Sequence, residues 1–391
     1  MDQDRGLIPS TRTRDLLWLA FFALPLALGL VLIVVQGKRW FFDLDAVLCG
    51  SWRVAHHGSA FNEAMACPGG DPEPYMYLPQ MAIWFAPFLR GPDITLWREV
   101  LGPISMAGCL FLLNFLFIRP MEGASALARA PVLALVNGGT LVCGNVAVFC
   151  HGLVVAVAYL LPRRPWLLMV CIVAISVIKP VFLTYLLIYA YQAETLRTRA
   201  TRIAGGIVLA GLVGALIIAT AGPELAAWTS ALSERPLGDQ PGFGFLTILK
   251  VLDLAPTHLM GLGVYGLFAG LACLGGLAIV EVRNLGPRSR LLLAIAVAQI
   301  VNPRLMSYDL ALLAPLAIAY EAVPDRLRSR FRAAVLAVGI AVVPIQFSPY
   351  RPVLLFVPTV LTLIYFWSAW LAAKDFPAWW SARKSAALVA A

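Results

Sequence analysis

Charge is the first thing this chain is short of. Only 13% of its residues are Asp, Glu, Lys or Arg and 60% are hydrophobic, where a soluble domain carries about 25% charged residues. That imbalance excludes a water-soluble core, because so much apolar surface has nowhere to hide from water. Long polar stretches are missing too, which leaves no room for a separate soluble domain. Residues 1–391 therefore read as one membrane domain. Histidine is rare, at four residues, and no His, Cys or acidic group stands at metal-ligand spacing, so no metal and no cofactor are expected. The seven cysteines include no CxxC pair. Cys109, Cys143, Cys150, Cys171 and Cys273 lie in apolar runs and read as small packing residues. Cys49 and Cys67 share one polar loop, and a disulfide between them depends on whether that loop faces an oxidising compartment. Internal repeats and low-complexity tracts are absent. The apolar run 16–35 is expected to be retained: it is too long for a signal-peptide core, and Lys38–Arg39 follow it in place of a small-residue cleavage site.

What charge there is has a pattern. The net charge of +9 comes from short basic clusters between apolar runs. That is the signature of loops held on the cytoplasmic side, and it argues against a nucleic-acid partner. An all-α polytopic protein follows, with spans near 16–35, 97–118, 131–142, 145–161, 166–178, 181–191, 203–221, 260–280, 291–301, 308–320, 333–345 and 353–373. The segment 77–89 is short and ends in Arg90-Gly-Pro. Letting it dip in and return keeps Arg119 and Arg129 with the other inside clusters, so it is expected to be re-entrant. Both termini then lie inside, and the larger outside loops are 36–96 and 222–258. The four pieces between 131 and 191 are unusually short, with polar joints at Gly144–Asn145 and Lys179–Pro180. Broken helices of that kind line cavities, because unpaired backbone is not tolerated against lipid.

On this topology the outside face gathers Asp43, Asp45, His56, His57, Tyr75, Tyr77, Asn145, Lys179, Lys250, His258, Arg304, Tyr308 and Asp309 from distant parts of the chain. The stretch WFFDLDAVLCGSWRVAHHGSAFNEAMACPGGDPEPYMYLP is its centre. Asp43 stands where a helix N-cap belongs, and Gly58 is placed to stop that helix. Asp43 reads either as this cap or as a general base, with Asp45 as the fallback base or a supporting partner. Lys179 either snorkels to the interface or, with Arg304, binds phosphate. His56 and His57 sit near a helix C-terminus, which favours a cation in any case. They and Tyr75, Tyr77, Asn145 and Tyr308 are the candidate pocket, although Asn145 equally suits a cap. Asp309 reads as a possible cap, and His151 as a satisfied residue inside a cavity. Transfer of a sugar from a polyprenyl phosphate needs this set: one carboxylate for the acceptor proton, cations for the departing phosphate, and no general acid.

At these residues the chain resembles glycosyltransferase family 87, membrane enzymes of the GT-C fold that use polyprenyl-phosphate sugars. FFDLDAVL occupies the place of the family's acidic-aromatic run after the first span, with Asp43 matching the acid. YMYLPQMAIWFAPF resembles its aromatic-Tyr-Pro-Pro helix start, with Tyr77 matching and Leu78-Pro79 in place of the double Pro. Gly144–Asn145, the run Arg164, Pro165 and Trp166, the Lys179–Pro180 joint and NPRLMSYDLALLAPLA follow in the family's order, over roughly residues 15–320. The resemblance implies an inverting transfer of a hexose or pentose, with the loop acid as base. It implies a polyprenyl-phosphate sugar donor, a lipid or glycan acceptor, no nucleotide sugar and no obligatory metal. Membrane lipids are the surroundings, and the charge asymmetry suits a bacterial inner membrane with the active face toward the periplasm. The competing reading is a flippase or transporter of lipid-linked sugars. Against ion coupling, the ionisable groups sit at joints and loops rather than midway along spans. A non-catalytic subunit of an envelope complex and another GT-C enzyme with the same type of donor are further alternatives.

Overall fold

The computed structural model describes residues 12–37, 39–70, 74–114, 129–160, 162–234, 242–254, 259–347 and 355–390. His258, Arg119 and the run 348–354 lie outside the described residues. Among those described there is no β-strand. The helices are α1 Arg12–Phe22, α2 Leu24–Val35, α3 Phe42–Ala55, α4 Pro79–Phe85, α5 Thr95–Leu113, α6 Gly138–Val142, α7 Val146–Leu160, α8 Pro165–Ser176 and α9 Leu187–Tyr191. Then come α10 Leu196–Ala221, α11 Glu224–Glu234, α12 Phe245–Val251, α13 Leu259–Val282, α14 Pro287–Ile300, α15 Leu316–Glu321, α16 Asp325–Ile345 and α17 Phe356–Ala390.

Three of these are long and apolar enough to cross a membrane: Leu196–Ala221, Leu259–Val282 and Phe356–Ala382. The bent pair Leu16–Phe22 and Leu24–Val35, at 43°, is a fourth if it forms one broken span rather than a re-entrant loop. Only 11% of the apolar window of Leu196–Ala221 is buried inside the protein, so most of that helix presents Leu, Ile and Val outward. A soluble monomer does not expose a continuous surface of that kind. The sequence reading expected twelve crossings. The remaining apolar segments are shorter, among them Val146–Leu160, Pro165–Ser176, Pro180–Tyr191 and Leu310–Glu321. Their shortness has a local cause. Proline opens helix α8 and the 3₁₀ turn Pro180–Leu186, where the missing N–H costs nothing at a helix start but prevents the preceding helix from running through. The expected re-entrant segment is helix α4 followed by the 3₁₀ turn Ala86–Leu89, which packs against α3.

The first loop folds as the sequence suggests, with one correction. Asp43 is not the cap of α3: the cap position is Phe41, in the left-handed region at φ 63°, and no side chain caps the helix. The backbone of the α6 end does that work. The N–H of Phe41 donates to Val142 O at 3.0 Å, and that of Asp43 to Cys143 O at 2.7 Å. Free donors of one helix thus meet free acceptors of another, with dipoles aligned. The approach requires Gly144. Its φ is +78°, and a Cβ there would stand 2.7 Å from the Phe41 Cα. At its other end α3 stops in a Schellman turn. Gly58 N–H donates to Arg53 O at 2.8 Å and His57 N–H to Val54 O at 3.2 Å, with His57 left-handed at φ 64°. Cys49 and Cys67 are joined by a disulfide, which ties α3 to the loop after it.

Candidate active site

Freeing the Asp43 side chain from capping lets it point elsewhere. Its carboxylate accepts a hydrogen bond from Asn145 Nδ2 at 3.1 Å. Asn145 stands at the turn into α7, and its Oδ1 accepts from the Ala147 N–H at 3.0 Å, so the capping role read from the sequence is met. The same Oδ1 also accepts from Lys179 Nζ at 2.9 Å. One amide therefore links the acid of the first loop to the lysine of the broken helix, across 102 residues on one side and 34 on the other. Lys179 reaches this point because its backbone is extended, φ −139° and ψ 114°, between α8 and the following 3₁₀ turn. Its ammonium also donates to Tyr308 Oη at 3.1 Å and lies 5.3 Å from the Tyr77 ring centre and 5.0 Å from that of Tyr308. Two aromatic faces thus flank the cation.

Arg304 stands on the same turn as Tyr308, between α14 and the 3₁₀ turn Leu310–Leu313. Its charge acts on both Lys179 and Tyr308. Its N–H donates to Asn302 Oδ1 at 2.9 Å, while its buried Nε has no hydrogen-bond partner. Among the described residues, neither Lys179 nor Arg304 forms an ion pair with a carboxylate. Two cations close together without such a partner make a cradle for an anion, phosphate above all.

The other candidates fall elsewhere. Asp45 is fully buried. Its carboxylate takes a two-pronged ion pair from Arg98, with Nε at 2.7 Å from Oδ1 and Nη2 on Oδ2, and Arg98 also donates to Gly69 O at 2.7 Å. Two positions along a helix point to different faces, so Asp45 braces the loop while Asp43 faces the cluster. The fallback base is thereby corrected to a structural ion pair. His56 stacks on Trp52 at 4.1 Å and its Nδ1 bonds to Trp52 O at 2.8 Å. His57 is exposed and serves the helix end. Among the described residues neither contacts the Asp43 cluster, which corrects their placement in the pocket. Tyr75 is a strut: its hydroxyl donates to Leu78 O at 2.8 Å and accepts from Ala82 N–H at 3.0 Å. Burial pushes its phenol up from the usual range, so it stays a neutral hydrogen-bonding group at the start of α4. Its ring packs edge-on against Tyr77 at 5.7 Å, and so acts on the cluster through Tyr77. Lys250 lies exposed on α12.

One pair escaped the sequence. His151 Nε2 bonds to Asp309 Oδ1 at 2.7 Å and His151 Nδ1 to Tyr185 Oη at 2.6 Å, all three residues being almost wholly buried. The sequence reading of His151 as a satisfied cavity residue is met, but its partner 158 residues away was not visible, nor was the part of Asp309 in the pair. Asp309 is no side-chain cap. No group of three or more His, Cys, Asp or Glu side chains able to hold a metal occurs among the described residues. Comparison with known protein families, curated proteins and solved structures returns no match.

Proposed function

We propose that this chain is an inverting, polyprenyl-phosphate-sugar-dependent glycosyltransferase of the GT-C type, related to glycosyltransferase family 87. In this reading about twelve membrane segments and one re-entrant helix carry the site to the periplasmic side of a bacterial inner membrane, with both termini cytoplasmic. The observation that carries the proposal is the Asp43–Asn145–Lys179–Tyr308 chain of contacts, with Arg304 beside it. It brings a half-buried carboxylate within one amide of the Lys179 ammonium, and neither Lys179 nor Arg304 forms an ion pair among the described residues.

The chemistry follows from those positions. The phosphate of the donor lies between Lys179 and Arg304, where two cations stabilise the charge that grows as the sugar–oxygen bond breaks. An acceptor hydroxyl loses its proton to the Asp43 carboxylate and attacks the anomeric carbon from the opposite side, inverting it. Polyprenyl phosphate leaves as an anion and needs no general acid. The Cys49–Cys67 disulfide supports the placement of this loop in an oxidising compartment.

The test is transfer by the purified chain from a polyprenyl-phosphate mannose, followed by mass spectrometry of the products. Asp43→Asn lowers the rate by at least about 10²-fold, while binding of polyprenyl phosphate stays near the wild-type value. A variant that turns over normally removes Asp43 as the base. Flux of lipid-linked sugar across proteoliposomes with no covalent product replaces the reading with a flippase.

A further inference from the structure

The turn that presents Arg304 and Tyr308 has no helical ladder to hold it. Between Val301 and Asp309 the backbone runs through turns, so side chains must fix its shape. Both ends are tied to the same buried point. At the far end, Asp309 accepts from Met306 N–H through Oδ2 at 2.8 Å and bonds His151 through Oδ1. At the near end, Arg304 N–H donates to Asn302, and Asn302 Nδ2 donates to Gln299 Oε1 at 3.2 Å. Gln299 in turn acts on the Tyr185 hydroxyl, and Tyr185 holds the second nitrogen of His151. The ring closes at His151.

We propose that His151 is a positioning residue: with Tyr185 and Asp309 it clamps both ends of segment 302–309 and so sets the Arg304 and Tyr308 side chains. This rests on the reading of Arg304, Lys179 and Tyr308 as the phosphate cradle. A buried polar ring of this kind specifies one arrangement, because each member that moves strands the others without partners. His151 does not touch the donor. Both its nitrogens are engaged, and both Asp309 oxygens are occupied.

The experiment uses the full chain in lipid nanodiscs. Hydrogen–deuterium exchange reads segment 302–309, and titration with sugar-free polyprenyl phosphate reads the cradle. His151→Ala and Tyr185→Phe speed exchange across 302–309 and leave α10 and α13 unchanged. They weaken polyprenyl phosphate binding about tenfold and raise the KM for donor more than they lower kcat. His151→Gln, which keeps one amide donor, restores part of the affinity. In an Arg304→Met, Tyr308→Phe background His151→Ala adds no further loss, because the clamp acts only through those groups. Unchanged exchange in both variants overturns the proposal. So does an affinity loss that persists in full in the double background, or faster exchange without any loss of binding. If His151→Ala does not fold, Tyr185→Phe carries the test, since it removes one hydroxyl and keeps the ring. If the wild type binds polyprenyl phosphate but transfers nothing, the clamp stands on the exchange and binding results and the glycosyltransferase reading falls.

Discussion

Helix α14 begins and ends beside arginines of opposite character. At its start Arg290 is spent on structure. It donates to Leu285 O, Val280 O, Tyr191 O and both oxygens of Glu281, and Glu281 also holds Arg199 at 2.7 Å. Past its other end, Arg304 has a buried Nε with no hydrogen-bond partner. The helix is fourteen residues long, about 21 Å. The same contrast marks Glu321, which takes Arg332 through two contacts at 2.7 and 2.6 Å. Near the basic loops each of these arginines meets a carboxylate. At the joints, Lys179 donates to an amide and a phenol and forms no ion pair among the described residues, although the charges of Asp309 and Asp43 act on it. A charge buried without an ion-paired acid is costly.

The contrast breaks most sharply with Asp43→Asn, for which transfer falls at least about 10²-fold with the fold intact. Next comes Arg290→Met. It leaves Glu281 short of a partner and takes the guanidinium donors from Leu285 O, Val280 O and Tyr191 O, so thermal unfolding in detergent should show a loss of about 3 kcal/mol. The matched change Arg304→Met should leave the melting temperature within about 2 °C of wild type and weaken polyprenyl phosphate about tenfold. A melting loss in Arg304→Met as large as that in Arg290→Met would erase the difference between the two ends. Smaller in its effect on the site is removal of the Cys49–Cys67 bond. It closes a separation of 18 residues, so Cys67→Ser or reduction should cost about 3 kcal/mol of loop stability. Donor affinity should change less than in Arg304→Met, because Asp45–Arg98 still braces the loop.

Much of this was readable in the chain. Helix α3, the short α4, and the joints at Gly144–Asn145 and Lys179–Pro180 all follow from apolar period, proline and glycine. The meeting of Asp43, Asn145, Lys179 and Tyr308 was expected because one topology put them on one face. Three things were not readable, for physical reasons. The choice between Asp43 and Asp45 turns on Arg98, a contact 53 residues away that no local spacing encodes. Hydropathy sees an apolar run and not where it breaks, so twelve segments could be counted where, among the described residues, three helices and one bent pair have the length to cross. His151, Tyr185, Gln299 and Asp309 lie inside apolar stretches, and only packing shows that their polar atoms form one ring.

The central claim is that Lys179 and Arg304 hold a phosphate facing the Asp43 carboxylate. A cryo-electron microscopy map of the chain with bound polyprenyl phosphate tests it most directly. The account expects the phosphate oxygens within about 3.2 Å of Lys179 Nζ and the Arg304 guanidinium, with Asp43 across the opening. Phosphate density at the Arg290–Glu281 end, or anywhere out of reach of both Lys179 and Arg304, would contradict it.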